Sequence, residues 1–259
     1  MKKALTEIEM KRKMRRKKIR KRRLTFFLIF LLVAGIGVFC LLLKTKLFPI
    51  KSVAVKGSEI YSSRQIVKAS GINNRTPILS ISESKLKKTL QKKLPYVDDV
   101  KIKIDFPEKV TITVSDAKEY YAFKSEDGYF SASKNLNVLN LYGEKPEGEV
   151  EVSANELKLD VGQPVEFGDD AKREIFELII KNISENGIKL NSLDITDSVH
   201  LKITVEDRFE VNLGSRDNLE EKIKHLSAMI SKIGDRKGKI NLEMWSKNDS
   251  KGTFIAENT

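Results

Sequence analysis

The chain has 259 residues, a formal net charge of +12 and a single cysteine. The charge is concentrated at one end: residues 1–23 hold 13 lysines and arginines against two glutamates, so they carry +11 and the other 236 residues carry +1. A nearly neutral body argues against nucleic-acid binding by the folded part of the chain. The only cysteine, Cys40, lies in an apolar run, so the body that follows has no thiol for disulfide formation.

A basic block precedes an apolar segment near the N-terminus. Residues 24–43 contain no charged side chain, and at about 1.5 Å per residue they span roughly 30 Å, the hydrocarbon thickness of a bilayer. We therefore predict a cytoplasmic tail over residues 1–23 and a single transmembrane helix over residues 24–43. No small-residue cleavage site follows the apolar run, which favours an uncleaved anchor.

The basic block also matches nuclear-localisation and nucleic-acid patterns and can bind anionic lipid. Its position directly before the apolar run favours lipid contact and control of topology, because lysine and arginine stay on the cytoplasmic side. The body is then exported. The predicted topology residues are Lys11, Arg12, Lys13, Arg15, Arg16, Lys17, Lys18, Arg20, Lys21, Arg22 and Arg23.

The first exported unit is predicted to have the order β-α-α-β-β. Residues 50–56 have the pattern of a strand, a capping serine and a following glycine bound a helix ending at Ser70, and a second helix runs over residues 83–94. The clearest signal is strict alternation of apolar and polar residues over 100–106 and 110–114, which predicts a half-buried antiparallel hairpin.

A second unit with a mixed or antiparallel sheet follows, so the predicted fold class is α+β. Its predicted helices are capped by Asp169 or Asp170 and by Asp217 and end before Gly187 and Gly234. Its predicted strands cover residues 120–124, 129–133, 150–159, 193–195, 200–205, 209–213, 239–245 and 252–256. The predicted domains are therefore residues 48–118 and 119–256, with a short polar end at 257–259.

The sequence contains no recognisable catalytic motif, and we predict no catalytic residue, cofactor or metal site. Asp197, Ser198 and His200 are close in sequence, but a strand starting near Ser198 would point alternate side chains apart. His200 and His225 are interpreted as surface residues. Two distant carboxylates acting on cell-wall glycan remain an alternative, because sequence alone cannot pair them.

The last predicted strand offers a possible binding surface. It consists of Gly252, Thr253, Phe254, Ile255 and Ala256. A terminal strand is often an edge strand, whose unpaired backbone groups can accept a strand from a partner. The other interpretation, that this strand only completes the sheet, stays open at this point.

The order of these features resembles the bacterial cell-division family FtsQ/DivIB, and the first exported unit resembles a POTRA domain. The motifs that carry the resemblance are Phe48-Pro49-Ile50 with Val53, Val55 and Gly57; Leu94-Pro95-Tyr96-Val97; Phe106-Pro107 with Val110–Val114; Phe209–Gly214 followed by Leu219–Lys222 and Leu226; and Ile240-Asn241-Leu242-Glu243. Residues 115–122 and 150–153 depart from the motifs that the family often has at the junction of its two units.

The resemblance implies a non-enzymatic, single-pass membrane scaffold of the division machinery, or divisome, located at the septum, where it supports septal wall synthesis. It implies partners similar to FtsB/DivIC and FtsL, captured by strand addition at Gly252–Ala256 with Phe254 and Ile255 as anchors. It also implies that the POTRA-like unit faces other divisome membrane proteins. The competing hypotheses are a membrane-anchored extracytoplasmic enzyme acting on the cell wall and a POTRA-type transport or assembly component.

Overall fold

The computed structural model describes residues 21–38, 49–245 and 252–257. Residues 21–38 form helix α1, whose side chains are all exposed. Across the described residues, no helix reaches the length and apolarity needed to cross a membrane. The last five residues of the predicted span, 39–43, and residues 1–20 of the basic tail lie outside the described ranges.

The described chain divides into two compact units with interleaved boundaries. The first contains the residues up to Ala54, together with Ile72–Ser82 and Ile102–Thr111, and the second contains Val55–Gly71, Glu83–Lys101 and everything from Ile112 onward. In the first unit, a backbone hydrogen bond holds Lys51 beside Glu108: the Lys51 N–H donates to the Glu108 carbonyl at 2.8 Å.

The predicted β-α-α-β-β order is confirmed. Its elements are β1 (Ser52–Lys56), α2 (Ser63–Ser70), α3 (Glu83–Lys93), β2 (Val97–Asp105) and β3 (Lys109–Asp116), with a 3-10 turn at Ile78–Ser80. The three strands form a sheet in the order β1-β3-β2.

Local sequence signals explain how α2 begins and ends. Ser62 caps α2 through a reciprocal capping box with Gln65, and Gly71 ends the helix in the left-handed conformation.

The alternation in the hairpin predicts burial correctly in one strand and only partly in the other. Val110, Ile112 and Val114 of β3 are buried, as is Val100 of β2. Towards the turn, however, Ile104 and Phe106 are 37% and 56% exposed. The alternation of apolar and polar residues therefore continues up to the turn, but the apolar side chains next to the turn are not buried.

The second unit contains a nine-stranded sheet in the order β14-β13-β12-β11-β10-β7-β4-β5-β6. Its strands are β4 (Glu119–Ser125), β5 (Gly128–Ser133), β6 (Val138–Tyr142), β7 (Val150–Ser153), β10 (Leu190–Asp194), β11 (Leu201–Val205), β12 (Phe209–Gly214), β13 (Gly238–Asn241) and β14 (Thr253–Ala256). The sheet is mixed, because β7 lies parallel to β4 and β10, and β12 lies parallel to β13.

Two helices, α4 (Asp170–Glu185) and α5 (Leu219–Ile233), contribute to the core of this unit. Each helix buries an apolar stripe, which is the expected arrangement for a helix packed on a sheet. The buried helical residues are Ile175, Phe176, Ile179, Ile183, Leu219, Ile223, Leu226 and Ile233, and the sheet side of the core includes Tyr121, Phe123, Val152, Leu193, Ile203, Val211 and Ile240.

Several sequence predictions for this unit were wrong in detail. Residues 150–159 form two separate strands, β7 and β8 (Leu157–Lys158), and β8 pairs only with β9 (Glu166–Phe167). The N-cap of α5 is Asn218 rather than Asp217, and the Asp217 side chain instead accepts a hydrogen bond from the Ser215 hydroxyl at 2.9 Å. His200 lies in a bend before β11 and not in the strand. Strand β6 was not predicted at all.

Candidate partner-binding edge

Strand β14 lies at one end of the nine-stranded order and pairs only with β13 among the described strands. The two strands are antiparallel, with Ile255 opposite Lys239 and Phe254 opposite Ile240. Four of the five residues predicted as a partner-binding strand, Thr253–Ala256, therefore lie at an edge of the described sheet, and Gly252 directly precedes them.

The hydrogen-bond pattern shows which backbone groups of β14 face outward. The Glu257 N–H donates to the Lys237 carbonyl at 3.0 Å. Because bonded residues alternate along an antiparallel pair, Thr253 and Ile255 also direct their backbone groups towards β13. The N–H and C=O groups of Phe254 and Ala256 then point to the open side of the sheet.

On one face of β14, Phe254 is half-buried against the core of its own unit. Its ring meets the Phe209 ring edge-on, with centroids 6.2 Å apart. The Arg236 guanidinium lies 5.3 Å from the centre of the Phe254 ring, a cation–π contact. These contacts fix the edge strand to the sheet.

On the other face, Ile255 is 67% exposed. It borders a groove of about 510 Å³ on the sheet surface, which is also lined by Ser192, Thr204, Glu210, Asn212 and Lys239. The Lys239 Nζ lies 2.8 Å from Glu210 Oε2, and this hydrogen-bonded pair raises the pKa of Lys239. The groove therefore combines polar and charged side chains with apolar ones, among which Ile255 is a large exposed hydrophobic residue.

Two glycines allow close packing around the edge strand. A Cβ on Gly252 would lie 2.8 Å from both Leu242 Cδ2 and Met229 Sδ. The backbone just before β14 therefore packs closely against these two side chains. A Cβ on Gly238 would overlap the carbonyl oxygen of Ile255. Sequence reasoning missed Gly238, although a glycine at the start of a strand is a known signal of close backbone approach.

The other residues singled out from the sequence have structural explanations. Asp197 and His200 are in contact, with 2.8 Å between Oδ2 and Nδ1, but both side chains are more than half exposed. His225 lies against Trp245, with ring centroids 5.9 Å apart. In the part of the chain that the structure describes, no group of three or more histidine, cysteine or acidic side chains is arranged to hold a metal ion.

Three aspartates that each lie next to another acidic residue in the sequence also make local structural contacts. Asp169 caps α4, Asp99 pairs with Lys87 at 2.9 Å, and Asp207 pairs with Lys189 at 2.5 Å. Of the predicted topology residues, Lys21, Arg22 and Arg23 lie exposed at the start of α1, and the other eight lie outside the described residues.

Comparison with known proteins finds similarity to one domain family and to several cell division proteins. Residues 48–116 match the model of the POTRA domain, FtsQ-type. The chain is 28% identical over 213 residues to cell division protein DivIB of Clostridium acetobutylicum, covering 78% of this chain and 82% of that protein. It is 24% identical over 260 residues to cell division protein DivIB of Bacillus subtilis, covering 94% and 91%. It is 26% identical over 234 residues to cell division protein DivIB of Clostridium botulinum strain Hall, covering 84% of each chain.

Proposed function

The chain belongs to the FtsQ/DivIB family of cell-division proteins, and we propose that it is a single-pass membrane scaffold that captures division partners by strand addition to β14. The observation that carries this proposal is the open edge, where Phe254 and Ala256 direct their backbone groups away from β13. Added strands gain affinity from backbone hydrogen bonds and specificity from alternate side chains.

The contacts of β14 suggest different roles for its two apolar side chains. Phe254 packs on Phe209 and Arg236, so we assign it the role of seating the edge strand. Ile255 is exposed beside the groove, so we assign it the direct apolar contact with the partner. Thr253 and Ala256 are exposed: the Ala256 backbone supplies pairing with the partner strand, and both side chains supply small neighbouring surfaces.

The proposed partners are membrane proteins similar to FtsB/DivIC and FtsL, with other divisome proteins contacting the POTRA-type unit. In this scheme residues 24–43 span the bilayer, the basic tail stays in the cytoplasm, and the units at 48–118 and 119–256 lie outside at the septum. The orientation follows from the basic residues before the apolar run. The similarity to cell division proteins supports a role in division.

A proline substitution at the outward-facing position tests strand addition directly. Proline is tolerated at edge positions whose N–H faces solvent, so Ala256→Pro should leave β14 paired with β13 and remove an outward donor. We expect the full-length variant to lose co-purification with an FtsB/DivIC-like partner, while Ala256→Ser, which keeps the N–H, retains it. Unchanged capture by Ala256→Pro would exclude strand addition at this position.

Ile255→Pro provides a second comparison, because its N–H faces β13 rather than solvent. We expect this variant to detach β14 and to lose partner capture together with protection of the Glu257 amide from hydrogen exchange.

A fluorescent fusion of the full chain tests the division role separately. A ring at midcell supports it, and a uniform membrane signal counts against it.

A further inference from the structure

Two carboxyl groups, one buried and one partly buried, lie at the beginning of the parallel strands β4 and β7, away from β14. Glu149 is only 8% exposed, and its side chain lies within hydrogen-bonding reach of the Glu119 carboxyl. Its Oε1 is 3.4 Å from the Ser131 hydroxyl. Its Oε2 has no hydrogen-bond donor among the described residues. A buried charged oxygen without a donor is costly.

Glu119 is already supplied with donors on its other side. Its Oε1 accepts a hydrogen bond from the Tyr96 hydroxyl at 2.5 Å and another from the Tyr142 hydroxyl at 2.9 Å. Burial, and next the bond to Glu119, raise the pKa of Tyr96, so its hydroxyl remains a donor. These two hydrogen bonds hold the Glu119 carboxyl in place beside Glu149.

Two carboxyl groups in such contact can form a hydrogen bond only if one of them holds a proton. Burial, followed by the interaction with Glu119, raises the pKa of Glu149 to about 7. Ser131 and the charge of Lys145 oppose this rise. Lys145 is itself 3.3 Å from Glu151 on β7, so its charge is shared between two carboxylates.

The pair is connected to the turn that precedes β2. The Tyr96 N–H donates to the Tyr61 hydroxyl at 3.2 Å, and the Tyr96 carbonyl accepts a hydrogen bond from the Ala117 N–H at 2.8 Å. Tyr96 therefore links Tyr61, which precedes the N-cap of α2, with the β3–β4 connection and Glu119 through three separate hydrogen bonds. All of these residues belong to the second compact unit.

We propose that Glu119 and Glu149 form a proton-binding site, and that the shared proton holds the Tyr96 turn on the sheet. In mildly acidic medium the proton is bound and the turn is fixed. As the pH rises towards neutrality the proton is lost, the two neighbouring carboxylates repel each other, and the turn loosens. The site does not depend on partner capture at β14.

Carbon-13 NMR of the full-length protein with labelled glutamate side-chain carboxyls tests the proton site. We expect one carboxyl resonance to titrate near pH 7 and to disappear in Glu149→Gln. If every glutamate carboxyl of the wild-type protein titrates below about pH 5.5, close to ordinary glutamate values, the proton site does not exist.

Hydrogen exchange of the Ala117 amide tests the link to the turn. Because opening releases one proton, its protection factor should fall by at most about tenfold per pH unit between pH 5 and pH 7 and then level off. In Glu149→Gln, whose amide still donates to Glu119, the protection factor should not vary with pH. The Gly238 amide, which donates to Arg208 at 3.1 Å, serves as the internal reference.

Tyr96→Phe separates the proton site from the turn. In this variant we expect the carboxyl titration to persist while the protection of Ala117 becomes independent of pH. A pH-dependent loss of protection that survives both Tyr96→Phe and Glu149→Gln would overturn the proposed link.

Discussion

Gly238 and Ile255 approach each other backbone to backbone, at the point where β13 meets the edge strand. A Cβ on Gly238 would overlap the Ile255 carbonyl oxygen and lie 3.0 Å from the Cα of Ala256. On the side away from β14, the Gly238 N–H donates to the backbone carbonyl of Arg208. Gly238 is therefore held between two neighbouring segments, because moving away from β14 would press its backbone against the Arg208 carbonyl.

Gly238→Ala should displace β14 selectively. The added methyl group must push Ile255 outward, so we expect faster hydrogen exchange of the Glu257 amide and weaker partner capture. Gly143→Ala is the matched control, because a Cβ at Gly143 meets nothing within 4 Å. The measurements are hydrogen exchange and co-purification on the full chain. Equal exchange at Glu257 in both variants would show that the strand pair absorbs the methyl group.

Phe254→Ala should affect the stability of the edge, and Ile255→Ala should affect partner capture. Phe254 packs on Phe209 and Arg236, so its truncation should destabilise the edge by about 1–3 kcal/mol, less than the cost for a fully buried phenylalanine. Ile255 is exposed, so its truncation should leave edge stability within about 0.5 kcal/mol and weaken partner capture. Hydrogen exchange of β13 and β14 amides measures the first effect, and partner affinity measures the second. Loss of edge stability in Ile255→Ala would reverse these assignments.

Local sequence patterns predicted much of this fold because they depend on neighbouring residues. Ser62 and Gly71 bound α2 through capping contacts that lie within a few positions. The alternation of Val110, Ile112 and Val114 gave the buried face of β3. The terminal strand was also predicted, but only the sheet order identifies it as an edge.

The features that were missed depend on contacts between distant residues. Glu119 and Glu149 are thirty positions apart and meet only because of the tertiary fold. Strand β6 was missed because Val138–Tyr142 has no strict alternation and is defined by its pairing with β5. The exposure of Phe106 could not be predicted either. The alternating pattern of the hairpin is the same whether or not another part of the protein covers the Phe106 side chain.

The stability of the protein should depend on pH through Glu149. Its pKa in the folded protein is raised from 4.5 to about 7, so the folded state binds the proton more tightly than the unfolded state. The resulting stabilisation is fully present below about pH 4.5 and is lost as the pH rises through about 7.

Thermal unfolding of the wild type and Glu149→Gln from pH 4.5 to pH 8 measures this effect. We expect the wild type to lose stability relative to the variant across that range, and then to keep a constant difference above it. Parallel curves for the two proteins would contradict the raised pKa.

Lys222 should contribute to stability through hydrogen bonds at the end of β12. Its side chain is 2% exposed, and its Nζ donates to the carbonyls of Leu213 at 2.6 Å and Ser215 at 3.3 Å. Burial lowers the pKa of Lys222, while Asp217 and Glu243 oppose that change. Lys222→Met keeps most of the side-chain volume but leaves the two carbonyls without this donor.

We expect Lys222→Met to lower the free energy of unfolding by about 1–3 kcal/mol, the usual cost of an unsatisfied buried polar group. The exposed Lys224 on the same helix provides the control, since Lys224→Met should change stability by no more than about 0.5 kcal/mol. Urea denaturation of the full chain, followed by circular dichroism, measures both. Equal stability of the two variants would mean that relief from burying the Lys222 charge offsets the lost hydrogen bonds.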